Sequence, residues 1–392
     1  MRRCFAATLA ALLLLTLTAC GPTEPEQTQE DPPVTEEPEV PEPDPAPTPE
    51  ELAAQEIEDL LSSMTLEEKV GQLFFVRCPD SGAVEDVGTY HLGGYILFGR
   101  DFADKTADDV IQTIHSYQSA AAADTGIPLL IGVDEEGGTV VRVSSNPHLR
   151  SEKYPSPQKL LSQGGTKVLV ADAADKDALL HGLGINVNLA PVADVSTDPS
   201  DFIYDRTFGR DAADNADCVT AVVTQMAADG MGSVLKHFPG YGNNVDTHTG
   251  IAVDQRSLES FQASDFLPFS AGISAGDGTT AVLVSHNIIT AVDDSLPASL
   301  SPAVHDLLRT ELGFDGVSMT DDLAMDAVAA YSEDGAVAVM AIQAGNDLVI
   351  TTDYRTQIPK AIEAVENGTL STETIDTACR RVLQWKQNLG LL

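Results

Sequence analysis

Basic residues are scarce in this chain of 392 residues, which has 22 Lys and Arg against 60 Asp and Glu and a formal net charge of −38. Residues 1–20 contribute +2 and residues 21–50 contribute −10, which leaves −30 for residues 51–392. Such a surface argues against nucleic acid or an anionic lipid surface as a partner, because both are bound through Lys and Arg. A neutral or zwitterionic saccharide is compatible with the charge, although an acidic surface also serves solubility and does not identify a substrate.

Cysteine is also rare, with five residues and no Cys-x-x-Cys spacing. Cys4 and Cys20 lie in the first twenty residues, and the other three are isolated at Cys78, Cys218 and Cys379. An odd number of isolated cysteines indicates neither a disulfide framework nor a zinc site. We therefore predict that these three are thiols in the core. Nothing else in the sequence implies a metal or an organic cofactor.

The N-terminus has an apolar run, Phe5–Leu17, which follows two arginines and is too short for a comfortable membrane span. This arrangement is typical of a signal peptide. Leu17–Cys20 is similar to a lipobox, in which the cysteine is diacylated and becomes the mature N-terminus. The alternative is an ordinary secretory signal with a chance cysteine, but the long polar segment after Gly21 favours lipidation of Cys20. Two acyl chains give durable anchoring, so we predict an extracytoplasmic lipoprotein that contacts the cell membrane only through its lipid anchor.

Residues 21–50 contain ten of the 22 prolines, ten acidic residues and no Lys or Arg. Such a segment cannot bury a core and is expected to form an extended, self-repelling spacer. We therefore divide the chain into a signal peptide over 1–20, a tether over 21–50 and a folded domain over 51–392. Thr48-Pro49-Glu50-Glu51 predicts the start of the first helix, with an N-cap, Pro at N1 and a capping box.

The folded part shows eight short apolar or β-branched runs that alternate with helical stretches. The runs are Leu73–Val76, Gly94–Phe98, Leu129–Asp134, Asn186–Pro191, Ser233–His237, Ala281–His286, Gly316–Thr320 and Asp347–Thr351. The helical stretches include Thr106–Ala123, Asp214–Ala228, Pro302–Leu312, Met325–Ala344 and a last one near Pro359–Leu389. Alternating strands and helices predict a parallel sheet, and eight units predict closure into a single-domain α/β (β/α)8 barrel of the TIM type.

Several ionisable residues fall at the predicted carboxyl ends of these strands, where barrel active sites are built. They are Asp134, Lys236, His237, His286 and Asp321, with Arg206 in the long loop after the fourth strand. No structural requirement accounts for so many ionisable groups at one rim. The clustering predicts a functional site there.

The most informative segment is Lys236–His248, KHFPGYGNNVDTH. In an extended segment, residues i and i+2 point the same way, so the Asp246 carboxylate can reach the His248 ring. A carboxylate on one ring nitrogen raises the basicity of the other, which suits proton transfer near neutral pH. Alone, an Asp-x-His pair is more often a loop hydrogen bond than a catalytic pair.

With Lys-His-Phe-Pro-Gly directly upstream, the segment resembles the signature of family 3 glycoside hydrolases, in particular their β-N-acetylglucosaminidases. Further blocks resemble the family in its order: TLEEKVGQ at 65–72, DEEGGTVVR at 134–142, LAPVADV at 189–195, DRTFG at 205–209 and GVSMTDDLAM at 316–325. The resemblance implies that an Asp246–His248 pair replaces the usual carboxylic acid as the general acid/base. It also implies that Asp321 is the nucleophile and that Asp134, Arg206, Lys236 and His237 bind the hydroxyls of the sugar.

Other positions keep two interpretations. Asp321 is alternatively a helix N-cap, a role that Asp322 fills equally well. Arg142 and Asp194 either belong to the site or form salt bridges at the rim, and His286 and Asn287 either contact the substrate or satisfy the barrel rim.

Three residues depart from the family pattern, where Tyr241 replaces His, Glu135 replaces Gln and Thr139 replaces Arg. Tyr241 puts the conformation of the acid/base loop and the leaving-group preference in doubt.

The resemblance implies a monomeric, retaining exo-β-N-acetylglucosaminidase that acts on a GlcNAc-containing saccharide through a covalent glycosyl-Asp intermediate. Family members that act as β-glucosidases or β-xylosidases usually take the acid/base from a second domain, which we do not expect here. Phosphorolysis remains an alternative, because a neutral base repels an anionic acceptor less than a carboxylate would. A catalytically dead sugar-binding lipoprotein would lack Asp321, Asp246 or His248, and all three are present. The leaving group, whether muropeptide, chitooligosaccharide or glycan, stays open.

Overall fold

The computed structural model describes residues 47–244, 250–329, 331 and 336–392. Within this part, Thr48–Leu392 forms one compact unit. The predicted signal peptide, the lipidation site Cys20, the tether up to residue 46 and the Asp246–His248 pair lie outside the described residues. The first helix begins as the sequence predicts, since Thr48 accepts a hydrogen bond from the Glu51 amide and Glu51 caps the Thr48 amide in return.

The strands follow one another along the sheet in nearly chain order. They are β1 (Phe75–Arg77), β2 (Gly94–Leu97), β3 (Leu130–Val133), β4 (Val187–Asn188), β5 (Gly232–Phe238), β6 (Val253–Asp254), β7 (Thr280–Val284), β8 (Ile288–Ile289) and β9 (Ser318–Thr320). Seven of them form a curled parallel sheet in the order β1-β2-β3-β4-β5-β7-β9, and β6 pairs with β8. Seven of the eight predicted runs therefore contain strands of this sheet.

The eighth predicted run, Asp347–Thr351, is not a strand of this sheet. It makes single parallel bridges instead, Val349 with Phe74 before β1 and Leu348 with Met319 in β9. The amide of Phe75 donates to the Val349 carbonyl at 3.0 Å, and the amide of Thr320 donates to the Leu348 carbonyl at 3.2 Å. This segment therefore lies between the two edge strands of the sheet.

The helices fill the connections between the strands. They are α1 (Pro49–Ser63), α2 (Leu66–Gln72), α3 (Ala83–Tyr90), α4 (Gly99–Phe102), α5 (Ala107–Asp124), α6 (Pro157–Gly164), α7 (Thr166–Leu183), α8 (Ala212–Asp229), α9 (Leu258–Ala263), α10 (Phe266–Ala275), α11 (Pro302–Thr310), α12 (Asp326–Ala329), α13 (Val337–Ala344), α14 (Tyr354–Glu366) and α15 (Thr372–Asn388). The search for a membrane-spanning helix in the described residues found none of sufficient length and apolarity.

The prediction of one last helix near Pro359–Leu389 was wrong, because two helices occupy that stretch. Gly368 has a φ of +79° directly after the end of α14, a conformation that glycine adopts without steric cost. Ser371 then caps α15 by accepting from the Thr374 amide. The turn reverses the chain and brings α15 against α1 and α2.

The inside of the curled sheet is filled by side chains from every strand of the main sheet and from the 347–351 segment. This inner cluster includes Phe75, Ile96, Leu130, Val187, Val234, Leu283, Met319 and Leu348. Trp385 of α15 belongs to the same cluster and donates its ring N–H to the Thr279 carbonyl just before β7. The helix therefore covers the amino-terminal end of the sheet and leaves the carboxyl end for the site. The predicted core thiols Cys78, Cys218 and Cys379 are free and buried, which confirms that prediction.

Candidate active site

A cavity of about 300 Å³ opens at the carboxyl ends of the strands. Its lining includes five of the predicted site residues: Asp134, Arg206, Lys236, His237 and Asp321. Asp134 follows β3, Asp321 follows β9, and Arg206 ends a short 3-10 turn in the loop after β4. Strand ends from distant parts of the sequence meet here because the sheet is parallel, so its carboxyl ends share one rim.

Lys236 and His237 are neighbours in β5, yet both side chains line the cavity. In a regular strand, successive side chains point to opposite faces. The pairing of β5 with β7 shifts its register between Leu235 and Phe238. This irregularity interrupts the alternation of the strand and places both side chains at the site.

One wall of the cavity is a closed network of charges. The Nζ atom of Lys236 lies 2.7 Å from Asp134 Oδ1 and 2.7 Å from Glu136 Oε1. Arg206 donates twice to Glu136, from Nε at 3.0 Å and from Nη2 at 2.8 Å. Each cation of this wall therefore has a carboxylate partner. We call Asp134, Glu136, Arg206 and Lys236 the paired wall.

The network keeps its charges despite burial. Burial alone disfavours the Glu136 carboxylate, but the adjacent charges of Lys236 and Arg206 outweigh it and hold the pKa of Glu136 well below its ordinary value. Burial likewise opposes the charge of Lys236, and the carboxylates of Asp134 and Glu136 overcome it, so the pKa of Lys236 is raised. Both groups stay ionised at neutral pH and offer fixed donors and acceptors to hydroxyl groups.

His237 is oriented from behind by Asp194, which is fully buried. Asp194 Oδ2 accepts from the His237 backbone amide at 3.1 Å and lies 2.7 Å from ring Nδ1. The opposite ring nitrogen, Nε2, lies 3.3 Å from Arg206 Nη2. We assign the ring proton to Nδ1, because Arg206 can only donate to Nε2. The other carboxylate oxygen of Asp194 accepts from the Tyr241 amide at 2.7 Å, so Asp194 positions His237 and the following loop rather than forming a salt bridge at the rim.

Asp321 lies at the floor of the cavity. The backbone amide of Asp322 donates to its Oδ1 at 2.8 Å, which fixes the direction of the carboxylate. Asp322 has a different role, since it accepts from the Ala324 amide at 3.0 Å and from the Thr352 hydroxyl at 2.8 Å. The helix α12 begins only at Asp326, so Asp321 is not its N-cap and the alternative interpretation of Asp321 is excluded.

His286 and Asn287 do not line the cavity. His286 is buried, with Nδ1 2.7 Å from the Ser299 hydroxyl and Nε2 3.2 Å from the Asp322 carbonyl oxygen. Its Nε2 thus contacts the backbone beside Asp321. Substrate contact was predicted for His286 and stays a prediction, as does the alternative of a residue that satisfies the barrel rim.

Arg77, Phe98 and Arg142 also line the cavity, and we call them the arginine wall. Arg142 lies beside the paired wall, with Nη2 3.7 Å from Asp134 Oδ2. Arg77 ends β1, Phe98 follows β2, and Arg142 lies in the segment after β3. The guanidinium carbons of Arg77 and Arg142 lie 4.4 Å and 5.6 Å from the centroid of the Phe98 ring. Both distances are typical of cation–π contacts.

Comparison with known proteins identifies the chain. The model of the glycosyl hydrolase family 3 N-terminal domain matches residues 65–385. This chain belongs to glycosyl hydrolase family 3. It is 33% identical to the β-hexosaminidase LpqI of Mycobacterium tuberculosis over 334 residues, which cover 81% of this chain and 82% of LpqI. It is 31% identical to a β-hexosaminidase of Methylococcus capsulatus over 296 residues, which cover 74% of this chain and 85% of that protein.

Solved structures give the same family. A family 3 β-N-acetylglucosaminidase from Paenibacillus superposes with a TM-score of 0.77 at 32% identity, over 84% of this chain and 63% of that one. The structure of M. tuberculosis LpqI superposes with a TM-score of 0.74 at 29% identity, over 84% of this chain and 96% of that one. The predicted family is therefore confirmed, and so is an enzyme of the glycoside hydrolase class. The N-terminal domain of family 3 is a TIM-like β/α barrel, with which the curled parallel sheet agrees.

Arg256 contacts described residues on both sides of the segment 245–249, which carries Asp246 and His248. It donates from Nη2 to the Gly240 carbonyl at 3.1 Å, and it pairs with Asp254 at 2.8 Å and Asp265 at 2.9 Å. Asn244 donates to the same Asp254 carboxylate at 2.8 Å. Gly240 before this segment and Asp254 after it therefore bind the same guanidinium group.

Sequence reasoning missed Glu136, Arg77 and Phe98. A signal for Glu136 was present, because residues i and i+2 of an extended segment point the same way and Asp134 was already assigned to the site. Arg77 and Phe98 stand at carboxyl ends of strands, where the barrel rule places functional residues. The intervening residue, Glu135, points away and accepts from the backbone amides of Arg142 and Val143 at 2.8 Å and 2.7 Å.

Proposed function

We propose that this protein is a retaining exo-β-N-acetylglucosaminidase that releases terminal GlcNAc from cell-wall fragments or oligosaccharides. The observation that carries the proposal is the placement of Asp321 in one cavity with the paired wall, in a chain that also has the Asp246–His248 pair of the resembled branch. The names of the relatives, β-hexosaminidase and β-N-acetylglucosaminidase, support the same activity. The chain spans 63% of the Paenibacillus enzyme and 96% of the LpqI structure.

The proposed roles follow from the geometry of the cavity. Asp134, Arg206, Lys236 and His237 offer charged donors and acceptors in fixed positions, as the hydroxyls of one sugar ring require. The Asp322 amide donates to Asp321 Oδ1 and fixes the direction of the carboxylate that attacks the anomeric carbon. These are the same residues that the sequence assigns to sugar binding and to the nucleophile, except for His286.

The proposed reaction has two steps. In the first, Asp321 bonds to the anomeric carbon while protonated His248 gives its proton to the departing oxygen, which leaves a glycosyl-Asp321 ester. In the second, His248 takes a proton from water, the water oxygen bonds to the anomeric carbon, and the ester bond breaks with overall retention. Asp246 orients the His248 ring.

The proposed architecture is a single catalytic barrel of eight β/α units, with the 347–351 segment as the eighth. Its bridges to residues beside β1 and in β9, and the inner cluster with members from every strand of the main sheet, support closure. We further propose that residues 1–20 are a lipoprotein signal, that Cys20 anchors the protein outside the cytoplasm, and that the enzyme acts as a monomer. Membrane fractionation of wild type and Cys20→Ser tests the anchor, and wild-type protein found only in the medium would refute it.

The activity test compares nitrophenyl β-N-acetylglucosaminide with nitrophenyl β-glucoside. We expect hydrolysis of the first and little of the second. The Asp321→Asn variant is expected to lose several orders of magnitude in kcat while its melting temperature stays near the wild-type value, because the amide cannot form the covalent ester. Asp322→Asn is the matched control, since the Asp322 side chain accepts from the Ala324 amide and the Thr352 hydroxyl and the variant keeps the backbone amide that holds Asp321. A fluorosugar label found on a peptide without Asp321 would refute the assignment.

A further inference from the structure

Glu136 of the paired wall is held on two sides. Its carboxylate binds Arg206 and Lys236 in the cavity. Its backbone carbonyl accepts a hydrogen bond at 3.0 Å from the Nζ atom of Lys176, which lies in α7 and is only 8% exposed. This lysine therefore contacts the paired wall from behind, through the backbone of the residue that binds both cations.

Lys176 is itself fixed at this place. Its Nζ atom lies 2.7 Å from Asp172 Oδ2, one turn earlier in α7, and 5.3 Å from the centroid of the Tyr154 ring. The Tyr154 carbonyl in turn accepts from the Gly138 amide at 2.9 Å. The ammonium group is thus neutralised by one carboxylate and set against the turn that follows Glu136.

The turn after Glu136 is in close contact with this region. Gly137 and Gly138 have φ values of +101° and +68°, in the left-handed region that favours glycine. A Cβ atom on Gly137 would lie 2.3 Å from the Pro155 carbonyl oxygen and 3.5 Å from Lys176 Nζ. Little space separates the lysine from the backbone that carries Glu136, so a shift of the ammonium group is expected to move that backbone.

A small cavity lies on the same side of Glu136. It has a volume of about 40 Å³, and its lining includes Glu136, Arg206, Asp172 and Lys176. Side chains that border a cavity have fewer packing contacts to hold them. The position of the pair formed by Glu136 and Arg206 therefore depends more on polar contacts, and Lys176 supplies one of them.

The contact with the carbonyl also distinguishes Lys176 from a residue that serves only its helix. An apolar side chain would fill this position of α7 without the cost of burying a charge. It would, however, leave the Glu136 carbonyl without this donor, and a buried carbonyl needs a partner. A lysine that only stabilised α7 would need no partner besides Asp172.

We propose that Lys176 is a positioning residue of the active site: by binding the Glu136 carbonyl it fixes the Glu136 carboxylate, and through it Arg206 and Lys236. This inference rests on the proposed function, in which those two cations bind the hydroxyls of the sugar. Lys176 lines the cavity behind the paired wall and not the catalytic one, so it acts through Glu136 rather than by contact with the substrate. Small displacements of such groups are costly, because catalysis depends on the precise placement of the reactants.

The experiment measures sugar binding and catalysis in Lys176→Met, which keeps an unbranched side chain and removes the ammonium group. Free GlcNAc is the probe, since its inhibition constant reports binding at the paired wall without any leaving group. We expect this constant to rise by about 10-fold, and kcat/KM for nitrophenyl β-N-acetylglucosaminide to fall by about 10–100-fold. All assays are run well below the melting temperature of each variant, where lower stability alone changes neither value.

Two companion variants separate the hydrogen bond from the bulk of the side chain. Lys176→Arg keeps a cation that can donate to the carbonyl and pair with Asp172, and we expect it to recover most of the loss in both constants. In Lys176→Ala, added propylammonium replaces the missing end of the side chain and should restore activity. Tetramethylammonium has the same charge but no N–H donor, and it should not restore activity.

Lys167→Met is the matched control, because Lys167 is an exposed lysine of the same helix. Both constants are expected to stay at the wild-type values in this variant. An equal loss in Lys167→Met would overturn the proposal, since any change of charge on α7 would then have the same effect.

The proposal is also overturned if Lys176→Met keeps the wild-type inhibition constant for GlcNAc, or if Lys176→Arg and propylammonium both fail to restore activity. Failure of both Lys176→Met and Lys176→Ala to fold would overturn it as well, because Lys176 would then be required for the fold itself. These outcomes differ from a failure of the proposed function, in which the wild type would not cleave nitrophenyl β-N-acetylglucosaminide at all.

Discussion

The paired wall and the arginine wall show two uses of positive charge within one cavity. On the paired wall, Glu136 takes hydrogen bonds from Arg206 and lies 2.7 Å from Lys236, so the cations are fixed and neutralised before any substrate arrives. On the arginine wall, Arg77 is held by an aromatic ring and has no acceptor among the described residues. Within the described residues, a buried cation of this cavity is therefore neutralised by a carboxylate on the first wall and held by a ring without an acceptor on the second.

A third cation, Lys386, makes the comparison sharper because it lies at the other end of the sheet. Its Nζ donates to Gln72 Oε1 at 2.6 Å, and the side chain is fully buried. Gln72 in turn donates to the His91 carbonyl at 3.0 Å, so the lysine closes a polar contact below β1 and β2. Burial without a carboxylate lowers the pKa of Lys386 to about 7. Among the described residues, this lysine has an amide oxygen as its partner and no carboxylate, unlike the cations of the paired wall.

The largest loss of activity in this comparison is expected for the loop that carries Asp246 and His248, which belongs to neither wall. His248→Ala should reduce kcat/KM for natural saccharides by about 10²–10⁴-fold, because general acid catalysis contributes that much. Nitrophenyl glycosides should lose far less, since their leaving group needs little protonation. Asp246→Ala should act in the same direction but more mildly. Equal losses on both substrate types would mean that another residue is the acid/base.

The second prediction removes one carboxylate charge from the paired wall. Glu136→Gln removes the negative charge between two buried cations, a change that typically costs about 3–5 kcal/mol of folding stability. We therefore expect a clearly lower melting temperature, and a lower kcat/KM for every substrate because Lys236 and Arg206 lose the group that fixes them. An unchanged melting temperature would mean that Glu136 does not neutralise these two cations.

The matched control for this variant is Glu135→Gln, one residue away. Glu135 accepts hydrogen bonds from backbone amides, and the carbonyl oxygen of glutamine can accept the same bonds. The resembled family usually has Gln at this position. We therefore expect activity close to that of the wild type, and a loss as large as that of Glu136→Gln would show that the charge of the whole segment matters rather than its contacts.

The smallest effect on activity is expected for Lys386, where the change concerns stability. Because the folded-state pKa lies near 7 and the ordinary value is 10.5, the unfolded chain binds the extra proton between these pH values. The free energy of unfolding should therefore rise with pH over this window. Each pKa unit is worth about 1.4 kcal/mol, so the rise is on the order of a few kcal/mol.

Urea unfolding at pH 6.5 and pH 9.5 measures this rise in the wild type and in Lys386→Met. The variant should show a smaller increase with pH, while its kcat stays near the wild-type value because the residue lies away from the cavity. An identical pH dependence in both proteins would show that Lys386 does not titrate in this range.

The strand pattern was predictable because short apolar runs alternate with helical ones, and seven of the eight runs contain strands of the main sheet. The rim was predictable too, since parallel strands bring their carboxyl ends together, and Asp134 and Asp321 follow strands as expected. The different contacts of Asp321 and Asp322 were not predictable. Both line the cavity, but the Asp322 carboxylate accepts from the Ala324 amide and the Thr352 hydroxyl, whereas the Asp321 carboxylate accepts from the Asp322 amide.

The sequence by itself determined the family, the order of strands and helices, and the residue types that meet at the rim, because these depend on local pattern and on motif. Only the tertiary structure decided which of them face the cavity. His286 turns behind Asp321 because Ser299 and the Asp322 carbonyl hold both ring nitrogens. Lys236 and His237 reach one cavity because β5 loses its regular register. Arg77 Nε has no acceptor within the described part of the chain, and whether a carboxylate lies against a guanidinium depends on three-dimensional neighbours.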